Sequence, residues 1–470
     1  MKLSLLTDLY ELTMLEGYYQ SGSIDRRAVF DVFFREAPFN GSYAVFAGLE
    51  KVIAYLTELS FDDDDIAYLR SLNLFSGDFL DYLRGFRFDG DVYSFPEGSI
   101  IFPQEPILRI EGALGEAQLV ETAVLNFVNF QTLIASKAAR ICSAARELPV
   151  IEFGLRRSQG EDGGLSASRA SFVGGCEGTS NVLAGKMFGI PVRGTHAHSW
   201  VMSFDSELEA FRAYARVYPD NAILLVDTYD SIRSGIPNAI TVARDLQKEG
   251  HRLVGIRLDS GDIVSISKQA RQMLDEADLD YVKILVSGDL DEYRIDEMLR
   301  EGAPVDSFGV GTRLATGHQE AALTGVYKMA AMENRDGAVI PKMKTSDELI
   351  KGTLPGIKNV FRFFKDGTTV FDVICRDDET PGPGSRIFDL GGSGLTVPED
   401  VTGVKQLLPI VQEGKPISES PSLVEIQHAC RDGFRMLPER YRAITDADVY
   451  PVMISESVFT LWEELRGAVV

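Results

Sequence analysis

The residues best placed to do chemistry lie in one short run, Gly194-Thr195-His196-Ala197-His198-Ser199-Trp200. The whole chain has five histidines, and two of them sit here, two apart. The run follows an apolar, strand-like stretch (Ile190, Pro191, Val192) and precedes a helix-like one at 205–217. A glycine turn at the end of a strand can present an imidazole as a reactive base. Two blander readings stand beside that one: a histidine that caps the following helix, or two stray metal ligands.

Other apolar runs end in equally suggestive residues. They close in Glu152-Phe153-Gly154-Leu155-Arg156-Arg157, Asp227-Thr228-Tyr229-Asp230, Arg257-Leu258-Asp259-Ser260-Gly261-Asp262, Ser287-Gly288-Asp289 and Gly309-Val310-Gly311-Thr312. Small residues let backbone N–H groups approach an anion, so Gly309, Gly311 and Thr312 read as a phosphate cradle or as an ordinary strand-to-helix turn. Gly288 and Asp289 read the same two ways. Asp262 is expected to cap a helix. Asp259 comes too early for that, and it shares a side of the extended chain with Arg257. That pair can grip phosphate with the guanidinium and ribose hydroxyls or Mg²⁺ with the carboxylate. Arg156 taken singly reads as a structural ion-pair partner. Taken together, two phosphate-type loops, two arginines and several acids describe a sugar-phosphate site with a divalent metal.

These residues need a scaffold, and the chain is long enough to build one. It has 470 residues, 45% of them apolar, so two or three domains are expected. No apolar run reaches membrane-spanning length. Asp8 and Glu11 interrupt the short apolar stretch after Met1-Lys2 and no cleavage site follows, so no signal peptide is expected. The formal net charge of −23 argues against nucleic acid and anionic membrane as partners. A small anionic substrate is still allowed, because local arginines and backbone N–H groups dominate at short range. The acidic run at 62–65 reads as a solvated helix start. Cys142, Cys176, Cys375 and Cys430 are scattered, which suits reduced thiols in the cytoplasm, and their spacing with the histidines is wrong for zinc.

The first part of the chain, 1–119, mixes a helix at 9–20, a strand at 28–35 and a β-meander over 88–111. Helical patterning covers 116–147. Apolar runs then recur at 150–153, 190–192, 222–226, 253–258, 283–286 and 307–310 with helical patterns between them, which predicts a parallel sheet. Nearly all-apolar strands in series favour an irregular barrel over a doubly wound sheet, and this α/β segment spans 120–316. From 317 to 470 antiparallel strands are expected at 327–332, 338–343, 360–364 and 369–375, with a hairpin at Asp366-Gly367 and a helix over 422–435. This segment is expected to return to the N-terminal domain.

The ordered segments resemble the nicotinate phosphoribosyltransferase family nearly end to end. They are Thr7-Asp8-Leu9-Tyr10-Glu11-Leu12-Thr13-Met14, Glu152 to Arg157, Gly194 to Trp200, Arg257 to Asp262, Gly309 to Thr312, and Lys344-Thr345-Ser346 with Pro355-Gly356 beyond. The resemblance implies an irregular (β/α) barrel of the type II phosphoribosyltransferase kind, with a second β-rich α+β domain built from both chain ends. It implies a homodimer with shared active sites. The implied reaction converts nicotinate and phosphoribosyl pyrophosphate to nicotinate mononucleotide and pyrophosphate, the first step of NAD salvage from nicotinate, as a ligase-type enzyme coupled to hydrolysis of ATP and using Mg²⁺.

Carried over by motif position, His198 resembles the phosphorylated histidine, with Asp227 holding its other ring nitrogen. Phe153 and, from the partner subunit, Tyr10 would sandwich the pyridine ring. Arg257 would face the ring carboxylate and the phosphoribosyl group, with Arg156 near the pyrophosphate. Asp259 and Gly288, with Asp289 beside them, would take the ribose hydroxyls, and Asp259 also Mg²⁺. Gly309, Gly311 and Thr312 would cradle the 5′-phosphate. Thr179, in Gly178-Thr179-Ser180-Asn181, can donate to a carboxylate where an acid would repel it, which favours nicotinate over nicotinamide. His196 is expected to make a structural hydrogen bond. The rivals are a nicotinamide-using relative, a quinolinate-using one, a non-catalytic nucleotide-binding regulator, and a barrel aldolase or isomerase. The last wants a lysine at a strand end, and none of these strand ends has one.

Overall fold

A computed structural model describes residues 2–344 and 353–467. The chain divides into two compact units, Ile134–Ala321 and Met1–Leu133 with Ala322–Val470. The first division falls inside the helix Glu121–Ala144, so it comes later than the expected boundary at 119/120. The second falls at 321/322 rather than 316/317.

The unit Ile134–Ala321 holds a parallel sheet of six strands in the order Gly178–Thr179, Val150–Glu152, Ser307–Val310, Lys283–Val286, Gly255–Leu258, Ile223–Leu225. Residues such as Leu224, Ile256, Ile284, Val286, Phe308 and Val310 are wholly buried, as strands covered on both faces must be. The intervening helices start where polar side chains satisfy their first N–H groups. Asp262 caps Ile263–Glu276 through Ser265 N–H, as expected. Asp291 caps Glu292–Arg300, and Ser206 caps Glu207–Val217.

Two details differ from the expected strands. Gly178–Thr179 is a strand too short to leave a periodic signal. The run 190–192 adds only a bridge, Val192 beside Thr179, made by Thr179 N–H to Pro191 O at 3.0 Å and Arg193 N–H to Thr179 O at 2.9 Å. Pro191 has no N–H to extend it. Beyond that bridge the chain reaches the other edge of the sheet, where His196 Nε2 accepts the Leu225 backbone N–H at 3.3 Å. The sheet therefore curls into an irregular barrel whose seam is closed by a side chain rather than by a strand ladder.

The other unit is built from both chain ends. One antiparallel sheet runs Val339–Pro341, Gly325–Glu333, Arg27–Phe34, Leu108–Ala113, Asp91–Ser94, Leu408–Gln412, Lys415–Pro416. A second contains the hairpin Lys358–Lys365 and Thr368–Arg376, with Asp366 (φ 51°) and Gly367 (φ 75°) both left-handed at its turn. The expected meander over 88–111 is not one: Ile100–Ile101 pairs with Ala44–Val45 instead of with its sequence neighbours. The acidic run does start a helix, Asp63–Ser71, with Asp62 and Asp65 forming a reciprocal cap. The helix over 422–435 is observed as Leu423–Met436, capped by Ser422. No helix among the described residues is long and apolar enough to cross a membrane.

Candidate active site

The carboxyl ends of the six parallel strands bring the expected residues together, where α/β barrels hold their ligands. Arg257 lies at the last turn of its strand, and its side chain is 15% exposed. Its Nη1 donates to Thr195 Oγ1 at 2.8 Å, and its Nη2 lies 3.4 Å from Asp259 Oδ1. Burial holds this guanidinium below its ordinary pKa, Asp259 and Asp227 pull it back up, and the nearby Arg156 pushes it down again. Two like charges near each other, one of them largely buried, can receive a polyanion. Arg257 Nε is buried without a protein partner.

Asp227 and Asp259 are linked. Asp227 Oδ2 accepts the Asp259 backbone N–H at 3.0 Å and the Ser260 hydroxyl at 2.7 Å. Asp259 Oδ1 accepts the Ser287 hydroxyl. These bonds pin one oxygen of each carboxylate, and Asp227 Oδ1 is buried with no partner. No group of three or more His, Cys, Asp or Glu side chains among the described residues could hold a metal ion. The donor set present, two carboxylates each with an oxygen to spare, fits Mg²⁺ held mainly by substrate oxygens and water.

The expected bond from Asp227 to His198 is not made. His198 Nδ1 lies 3.2 Å from Thr228 Oγ1, while the Asp227 carboxylate turns to the Asp259 N–H and Ser260 hydroxyl. The two neighbours engage different partners, and it is the Thr228 hydroxyl that reaches the imidazole. His196 takes the structural part expected of it. Its Nδ1 lies 3.4 Å from Ala197 O and its Nε2 accepts from Leu225, which fixes the tautomer with the proton on Nδ1. Burial pushes its pKa down to about 4, so it stays neutral.

Glycines shape the other side. Gly288 has φ +115°, and a Cβ there would meet Asp259 O at 2.5 Å, so only glycine lets these two strand ends approach. A Cβ on Gly309 would meet the Phe153 ring at 2.5 Å. Gly309 therefore makes room for Phe153 from within its strand, and of the expected phosphate cradle Gly311 and Thr312 remain at the strand end. Asp289 is committed to an ion pair with Arg313 at 2.7 Å, which holds its carboxyl below the usual range. Arg313 also reaches Asp291 at 2.5 Å, and so ties the Ser287-Gly288-Asp289 loop to the helix that follows Gly311.

Thr179 is not free to meet a substrate. Its hydroxyl is fully buried and donates to Glu152 Oε2 at 2.6 Å, which corrects its expected contact with a ring carboxylate. Glu152, 1% exposed, also accepts from Ser168 at 3.0 Å and from Gly154 N–H. It is a buried anchor for the Phe153 loop. Arg156 is exposed on the short turn Leu155–Arg157.

Tyr10 belongs to the other unit, on the first turn of the helix Leu9–Ser21, and is 46% exposed. Its hydroxyl is held above the ordinary tyrosine range by burial, then by Glu121 and Glu11. Of Lys344-Thr345-Ser346, the last two lie outside the described residues. Sequence reasoning missed Thr195, Thr228, Ser260 and Ser287. Each neighbours a residue already singled out, and that adjacency was the available signal.

Known proteins resemble the chain along its length. Family models match residues 5–129 (nicotinate phosphoribosyltransferase N-terminal domain), 148–379 (nicotinate phosphoribosyltransferase family) and 357–462 (nicotinate phosphoribosyltransferase C-terminal domain). A nicotinate phosphoribosyltransferase of Bacillus subtilis is 43% identical over 465 residues, covering 97% of this chain and 94% of its own. One from Bos taurus is 34% identical, covering 99% and 97%. Among solved structures, human nicotinic acid phosphoribosyltransferase superposes with a TM-score of 0.85 at 31% identity, covering 98% of this chain and 99% of its own. A nicotinate-nucleotide pyrophosphorylase from Pyrococcus furiosus superposes at 0.72 with 25% identity, covering 93% and 96%.

Proposed function

The chain belongs to the nicotinate phosphoribosyltransferase family, and on that premise we propose that it joins nicotinate to the phosphoribosyl group of phosphoribosyl pyrophosphate, with ATP hydrolysis coupled through His198. The observation that carries this reading is the hydrogen-bonded chain from Thr195 through Arg257 and Asp259 to Asp227, with His198 on the segment that Arg257 grips.

Displacing pyrophosphate from a ribose carbon builds positive charge on the sugar and negative charge on the leaving group. The protein's part is positioning and fixed charge. Arg257 faces the nicotinate carboxylate and the phosphoribosyl group, and Arg156 the departing pyrophosphate. The spare oxygens of Asp259 and Asp227 take ribose hydroxyls and hold Mg²⁺, which when bound offsets pyrophosphate charge. Phe153 offers one stacking face and Tyr10 of a second subunit the other. Gly311 and Thr312 offer backbone N–H groups to the 5′-phosphate. A phosphoryl group on His198 adds roughly two negative charges and three acceptor oxygens to the segment that Arg257 grips, so ATP tightens the grip on substrates rather than joining the bond-making step.

Assembly as a homodimer is supported by exposed apolar side chains on the barrel helix Val182–Phe188, where Val182, Leu183 and Met187 are 70%, 53% and 57% exposed. Cysteines held as thiols rather than disulfides suit the cytoplasm. Turnover of nicotinate and nicotinamide with phosphoribosyl pyrophosphate, with and without ATP, tests the reading. Nicotinate is expected to react faster and ATP to stimulate it. Faster turnover of nicotinamide overturns the substrate, and indifference to ATP overturns the coupling. A non-catalytic regulator would turn over neither.

A further inference from the structure

Three bonds around the histidine pair decide which imidazole nitrogen is available. His196 has both ring nitrogens engaged, one on Leu225 N–H and one on Ala197 O. Among the described residues His198 has a single hydrogen-bond partner, the Thr228 hydroxyl, 3.2 Å from Nδ1. Asp227, next to Thr228, spends its pinned oxygen on Asp259 N–H and Ser260. Nε2 of His198 is thus the ring nitrogen of the pair to which no hydrogen bond from the described residues is directed. Thr228 is β-branched at the end of a barrel strand, so its side chain is stiff and its hydroxyl is held in place.

We infer that Thr228 is a positioning residue, which holds Nδ1 of His198 and so makes Nε2 the nitrogen that takes the phosphoryl group. The inference rests on the phosphohistidine reading above and specifies its chemistry. A neutral imidazole has one N–H and one lone pair. With Nδ1–H donated to Thr228 Oγ1, the lone pair is on Nε2. That pair attacks the γ-phosphorus of ATP, an N–P bond forms, the P–O bond to ADP breaks, and ADP leaves with the bonding electrons. The ring keeps its proton on Nδ1, still shared with Thr228, and the phosphoryl group carries the charge that ADP has shed. Thr228 touches neither phosphorus nor sugar. It acts only by fixing the ring's angle and engaging Nδ1, whose N–H it accepts when the Nε2 lone pair attacks.

The test uses the full chain with ATP radiolabelled on its γ-phosphate, followed by alkaline hydrolysis and separation of the two phosphohistidine isomers. Wild type is expected to carry label on Nε2. Thr228→Val, which keeps the shape and removes the hydroxyl, is expected to label about tenfold more slowly and to yield both isomers, as loss of one positioning hydrogen bond predicts. Thr228→Ser is expected to restore the Nε2 isomer and most of the rate. A purely structural residue would lower thermal stability without moving the isomer ratio. Label on Nδ1 in wild type overturns the inference and leaves the phosphohistidine reading standing. The wild-type rate and isomer in Thr228→Val overturn it too. Wild type no more labelled than His198→Ala overturns the phosphohistidine reading, and this inference with it.

Discussion

Gly309→Ala adds one methyl group, and the structure says where it goes. The new Cβ would lie 2.5 Å from Cε2 and 2.6 Å from Cδ2 of Phe153, and 3.4 Å from Ser287 Cβ. Carbon atoms rest at about 3.5–4.0 Å, so the ring must retreat by about 1 Å. Its backbone cannot follow, because Phe153 N–H is tied to Val310 O at 2.8 Å. The ring therefore tilts out of the place where it would stack on the pyridine. Overpacking of this size costs about 1–3 kcal/mol of stability, and a displacement of about 1 Å at a positioning group costs up to about a hundredfold in rate. Steady-state kinetics with nicotinate at saturating phosphoribosyl pyrophosphate should show kcat/KM down by ten- to a hundredfold. Thermal melts should show a modestly less stable protein. Adding Phe153→Leu should recover stability and leave nicotinate binding poor. If Gly309→Ala melts and turns over nicotinate like wild type, neither the packing nor the stacking role stands.

Arg257→Lys should lower kcat/KM by about tenfold or more, because one ammonium cannot span Thr195 and Asp259 as the rigid fork does; kinetics with folding checked by circular dichroism decide it. Glu152→Gln should destabilise the protein by about 2 kcal/mol in urea unfolding, since the new amide N–H₂ faces groups that donate to the carboxylate. His196, neutral down to about pH 4 when folded and near 6.5 unfolded, supports the fold fully above pH 6.5. That support fades as pH falls from 6.5 to 4, because the unfolded chain binds the proton first, and the loss by pH 4 is about 3 kcal/mol. Unfolding curves of wild type and His196→Gln at a series of pH values should converge over that window.

Much of the site was legible because its residues come in short strings at the ends of apolar runs. Lys283–Val286 and Ser307–Val310 form strands with the expected bounds, and Asp262 caps the helix it precedes. Directions of side chains were harder to read. Thr179 and Asp227 stand at strand ends as expected, but Thr179 turns inward to Glu152 and Asp227 turns sideways to Asp259 and Ser260. A two-residue strand such as Gly178–Thr179 carries no periodicity. The barrel seam at His196 depends on two edges meeting in space, which no local pattern encodes. Gly309 looked like a phosphate glycine, yet its missing side chain is filled by an aromatic ring from another strand end.

The central claim is that His198 relays ATP hydrolysis into tighter binding of the activated sugar. Its most direct test is the KM for phosphoribosyl pyrophosphate, measured with and without ATP, in wild type and in His198→Ala. ATP is expected to lower that KM in wild type and to leave it unchanged in the variant. An equal drop in both would contradict the account.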